Sequence, residues 1–124
     1  MLANQGKAAK IVKLLDPVSA ANTAAATSAW IDVREAEGDI VVTVQTGAVT
    51  GSIAWTIEDA TDGSGTGGAG ITPDDGAFSA GAANQVQKRC ISAGAVRGWL
   101  RVVGTIVTGP SLVAANIKYH PKYV

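Results

Sequence analysis

Residues 38–59, GDIVVTVQTGAVTGSIAWTIED, set the fold class. Ile40, Val42 and Val44 recur at every second position, with Val41, Thr43 and Gln45 between them. After a tight connection from Gly47 to Gly51, Ile53, Trp55 and Ile57 alternate with Ala54, Thr56 and Glu58. A period of two places alternate side chains on opposite faces of an extended chain. The two runs therefore read as strands, each turning one apolar face to a core.

The pattern continues in both directions. Lys10–Leu15 (KIVKLL) reads as a first strand stopped by Asp16-Pro17. Residues 18–29 read as an extended loop, because Thr, Ser and Asn interrupt their alanine run and no helical stripe repeats. Trp30–Val33 is a short strand, Ile71–Ala80 a weak one with an Asp75-Gly76 turn, and Asn84–Ser92 another. Val96–Val107 and Leu112–Tyr119 complete the set, the last with Val113, Ala115, Ile117 and Tyr119 on one face. About seven or eight strands with short connections and no amphipathic crossover helix predict an all-β, antiparallel β-sandwich. Strand order is invisible at this level, so jelly-roll and immunoglobulin-like topologies both stand. The expected organisation is an extended basic N-terminal arm, residues 1–13, followed by one sandwich domain, residues 14–124.

Composition agrees. The 124 residues include 22 Ala and 15 Gly, and against 5 Leu stand 14 Val, 9 Ile and 11 Thr. Branching at Cβ suits a pleated surface better than a helix. Trp30, Trp55 and Trp99 supply most of the bulky volume; Trp55 is expected in the core, while Trp30 and Trp99 suit core or interface equally. No apolar run approaches the roughly 20 residues of a membrane span, and no continuous apolar stretch follows the N-terminal lysines as a secretory signal requires. The formal net charge is zero, but it is unevenly laid out. Residues 1–13 carry Lys7, Lys10 and Lys13 and no acid; residues 16–75 carry all ten acids and only Arg34; residues 88–124 carry six cations. Either these segments fold side by side as solvated faces, or separate basic and acidic patches meet different neighbours in an assembly. A neutral chain has no overall drive toward nucleic acid.

Residues that would carry chemistry are sparse. His120 stands alone near the end of the sequence, without the carboxylate and nucleophile of a triad in view. Cys90 is the single cysteine, so neither a disulfide framework nor a multi-cysteine zinc site is available. The loop Asp59–Gly70, with five glycines, fails the spacing of an EF-hand. It reads as a solvated hairpin loop, with a weaker calcium site from Asp59, Asp62, Asp74 and Asp75 as the alternative. GTGGAG at 65–70 lacks the following helix that a dinucleotide loop needs. No catalytic residue, cofactor or metal ligand set is assigned.

Residues 14–119 resemble a family of small structural proteins of tailed bacteriophages. The likeness is carried by Leu15-Asp16-Pro17, Ile31-Asp32, Gly38-Asp39, the Gly51–Gly63 hairpin and the Arg97–Thr105 strand. The resemblance implies a non-enzymatic head-decoration, or cement, subunit: a β-sandwich that binds the major capsid protein and copies of itself, with a trimer favoured. It implies a virion location after synthesis in the host cytoplasm, with no nucleic acid or membrane partner. The candidate interface residues are Lys7, Lys10, Lys13, Trp30 and Trp99. The alternatives are a tail or neck component, or a carbohydrate-binding module stacking sugars on Trp30 or Trp99.

Overall fold

A computed structural model describes residues 9–122 as eight strands: β1 (Lys10–Ala20), β2 (Ile31–Asp32), β3 (Ala36–Val49), β4 (Ile53–Ala60), β5 (Ala69–Ile71), β6 (Val86–Ser92), β7 (Trp99–Ile106) and β8 (Ser111–Pro121). A single 3₁₀ turn, Ala93–Ala95, separates β6 from β7.

The pairing has a simple logic. β4 pairs with β5, β3 with β6, β2 with β7 and β1 with β8, all antiparallel. This is the ladder of one long hairpin whose tip is the Gly-rich loop between β4 and β5. Rolling that hairpin brings β8 against β3 and β7 against β4. Two four-stranded sheets result, ordered β1-β8-β3-β6 and β2-β7-β4-β5. The topology is a jelly roll. In the immunoglobulin order the first two strands share a sheet, whereas here they lie in different ones.

Between the sheets lie the rows expected from alternation: Ile40, Val42 and Val44; Ile53, Trp55 and Ile57; Val113, Ala115, Ile117 and Tyr119. Leu100, Val102 and Ile91 complete the centre. Of the three tryptophans only Trp55 belongs to this core, so β-branched side chains, not indoles, do most of the packing. Gly104 sits directly opposite Trp55 on β7, and a Cβ there would lie 3.0 Å from Trp55 Cζ3 and from Ile53 Cδ1. The missing side chain is the space the indole occupies.

Of the boundaries that differ from the sequence reading, three shape the surfaces. Asp16-Pro17 does not end β1; the strand passes through two register shifts there and runs on to Ala20, so residues 18–20 are strand. Proline is tolerated on an edge strand and at a bulge. Lys10–Lys13 of the expected arm lie within β1, paired with Tyr119–Asn116 of β8, while residues 1–8 lie outside the described residues. Of the weak strand at 71–80 only Ile71 is strand; the rest is a loop along the free edge of β6. Asp74 N–H donates to the Cys90 carbonyl, Cys90 N–H to Asp75 Oδ1, and the Gln87 amide exchanges two bonds with the Ser79 backbone. Main-chain groups of the β6 edge are thereby satisfied without another strand.

Gly104→Val is expected to overpack the Trp55 site and to cost about 2–3 kcal/mol. Gly94→Ala, whose Cβ meets nothing within 4 Å, is expected to be near neutral. Urea denaturation of both variants checks this; equal midpoints would refute the packing assignment.

Candidate interaction surfaces

On the outer face of the β2-β7-β4-β5 sheet, alternation along β7 puts Trp99 and Arg101 on one side of the strand. Cross-strand register then sets Asp32 and Ala60 beside Trp99, and Glu58 beside Arg101. The Arg101 guanidinium lies 4.5 Å from the centre of the Trp30 ring and 2.7 Å from Glu58 Oε1. Arg34, itself paired with Asp32 at 2.7 Å, lies 5.5 Å from the Trp99 ring centre. The Gly-rich loop folds back onto the same indoles. A Cβ at Gly63 would stand 3.0 Å from Trp99, and one at Gly65 would stand 2.6 Å from Trp30 Nε1. Gly65 also has φ +83°, so this position favours glycine twice over. Both indoles are half-buried, each with an arginine on it and a loop glycine against it.

A buried ion pair ties the loop down. Asp59 continues the inward row of β4 at the rim of the core, with its side chain 4% exposed against 43% for Arg97. Arg97 donates from Nε and Nη2 to the two carboxylate oxygens at 3.1 and 2.9 Å, and its backbone N–H adds a third bond at 3.1 Å. Nη2 also donates to the Gly67 carbonyl at 2.7 Å. These bonds, the Arg97 side chain first, hold the Asp59 carboxyl below the ordinary aspartate value.

The acidic positions are separately engaged. Asp62 accepts from the Ser64 and Thr66 amides, Asp74 from Ser92 and Asp75 from Cys90. The alternative of a shared calcium site from Asp59, Asp62, Asp74 and Asp75 is not what these carboxylates do here. No group of three or more metal-ligating residues gathers among the described residues. Two ion pairs, Arg97–Asp59 and Arg101–Glu58, join the acidic middle of the sequence to its basic end.

The candidate interface residues separate. Trp30 and Trp99 share the outer face just described. Lys10 and Lys13 lie on β1 in the other sheet, and Lys7 lies outside the described residues. Lys10 bonds to Glu35 Oε1 at 2.9 Å, which also accepts from the Tyr119 hydroxyl at 2.8 Å. The lysine bond lowers the Glu35 carboxyl pKa, while burial first and this carboxylate second raise that of Tyr119. Lys13 pairs with Asp16 at 2.8 Å. His120 is exposed on β8 and Cys90 half-buried on β6, in separate strands with β3 between them.

A second surface lies on the outside of the β1-β8-β3-β6 sheet. Of five large hydrophobic side chains exposed among the described residues, four belong to this sheet: Ile11 (70%), Val86 (62%), Leu112 (48%) and Val18 (39%). Val18, Val86 and Leu112 line one depression of about 570 Å³. Sequence patterning places Val18 in a loop and gives Ile11 and Val86 no side; their convergence depends on β8 lying between β1 and β3, with Val18 opposite Val113 at the open edge of the sandwich. The arginines on the indoles were missed for the same reason, since Trp30 and Arg101 meet only through the β2·β7 register.

No protein-family model and no curated protein matches the chain. The geometry itself carries the functional reading.

Because the Asp59 carboxyl is held below its ordinary value of 3.8, the ion pair contributes its full stability above that value and loses it as pH falls further. Arg97→Ala leaves a buried carboxylate unpaired and is expected to cost about 2–3 kcal/mol at neutral pH, less than the roughly 3–5 kcal/mol of a fully buried pair because Arg97 is half-exposed. Asp59→Asn is expected to flatten the acid limb of stability between about pH 5 and pH 2. Urea midpoints across that range check both. A neutral-pH loss for Arg97→Ala within about 0.5 kcal/mol, the size of a surface substitution, would refute the clamp.

Proposed function

We propose that the protein is a non-enzymatic virion structural protein, a head-decoration subunit that docks on the major capsid protein beside further copies of itself. The observation that carries this reading is the gathering of Val18, Val86 and Leu112 around one depression on a sheet of a jelly roll, with Ile11 exposed farther along the same sheet. Scattered exposed apolar side chains are ordinary, but a contiguous set marks a surface that meets a partner. Jelly rolls serve viral capsids and lectins alike, so the fold supports a docking role and leaves sugar binding to be weighed on the indoles. There the chain's own arginines and loop glycines occupy Trp30 and Trp99. A stacking platform needs a bare ring face, which favours docking over the carbohydrate alternative.

Electron cryomicroscopy of purified particles carrying this chain tests the reading. Density for the jelly roll is expected on the head, with the β1-β8-β3-β6 sheet toward the shell. Leu112→Asp combined with Val86→Asp is expected to reduce occupancy severalfold, as truncating interface anchors does. Density confined to the tail or neck would move the protein there, and its absence from particles would refute the virion role.

A further inference from the structure

The depression lined by Val18, Val86 and Leu112 does not end at those residues. A second one, of about 410 Å³, adjoins it and contains Ile11 and Lys13. The two share Pro17, Gln45 and Ala114, so they form one trough along the sheet. Its floor is β8 from Leu112 to Asn116, where the outward side chain at the centre is only a methyl, Ala114. That stretch is about 14 Å long at the strand rise, enough for four or five residues of extended chain.

Charge selects the occupant. Across the sheet, Val41 sits opposite Lys118 and Cys90, and Thr43 opposite Asn116 and Lys88. Ile11 and Lys13 extend the same two rows on β1. Lys88 and Lys118 make no ion pair among the described residues, and the acid nearest Lys13 is its own partner Asp16. Neither lysine lines the trough, but both flank it on the same outward face, which carries Asp39 and Glu37 farther along β3. We propose that the trough receives an extended segment of a partner protein carrying both apolar side chains and carboxylates. Apolar groups would fill the space over Ala114, and carboxylates would meet Lys88 and Lys118. The inference rests on the docking reading above and names the chemistry of the partner at that surface.

The test is an NMR titration of the full, ¹⁵N-labelled chain with an acetylated, amidated hexapeptide of alternating Leu and Glu. Saturable amide shifts are expected at Thr43, Gln45, Val86, Ala114 and Asn116, weakening as salt is raised. The Lys88→Glu/Lys118→Glu double variant is expected to bind about tenfold more weakly, and Ala114→Glu to bind not at all. Should Ala114→Glu fail to fold, the double variant decides, because both lysines are exposed. Shifts centred on Trp30 and Trp99, no saturable shift, or equal binding of an alternating Leu-Lys peptide would each overturn the proposal. Broadening of the same amides with protein concentration alone would also overturn it, in favour of a second copy. Double-variant protein that still decorates heads fully would sink the trough and leave the virion reading standing; peptide binding by a protein absent from particles would do the reverse.

Discussion

Everything in this molecule depends on β8 fitting between β1 and β3. It is the last strand of the described chain, yet it is central, paired with Lys10–Ala20 on one side and Ala36–Val49 on the other. Its inward row, Val113, Ala115, Ile117 and Tyr119, closes the core. Its outward row forms the floor of the trough. Neither β1 nor β3 can complete its sheet until the far end of the chain arrives, and such non-local pairing incurs a loop-closure cost before any contact returns it.

The same rolled hairpin explains how the sheet edges are managed. β2 and β5 are too short to template another strand, with two and three residues. β6 is covered by the loop from Asp74 to Ser79. β1 is the long edge, and it carries Lys10, Lys13, Pro17 and two register shifts, the devices that discourage edge pairing. With its edges blunted, the sandwich has its faces left for association. One is occupied by its own arginines, indoles and glycine loop; the other leaves Val86, Leu112, Lys88 and Lys118 exposed.

Charge layout takes on a spatial meaning. The acidic middle of the sequence is partly neutralised by the basic end through Arg97–Asp59 and Arg101–Glu58. Lys88 and Lys118, from the same basic end, remain on the opposite sheet. The first sequence-level reading holds for the two ion pairs. The segments fold beside each other, and Lys88 and Lys118 stay exposed without an ion pair among the described residues. The buried Asp59 is more a constraint on the glycine loop than a source of net stability, because desolvating a carboxylate offsets most of what its pairing returns.

Alternation alone determined that the chain is an antiparallel sandwich and which residues fill it. Ile40, Val42, Val44, Ile53, Trp55 and Ile57 could be assigned inward from neighbours two positions away, because strand sidedness is a local property. The glycine loop as a surface tip was legible for the same reason. The jelly-roll order, the continuation of β1 past Pro17, the arginines on Trp30 and Trp99, and the trough over Ala114 were not. Each joins residues distant in the chain through strand pairing, and the pairing follows from how two sheets bury their apolar faces together. A period of two says which way a side chain points; only the closed sandwich says what it meets.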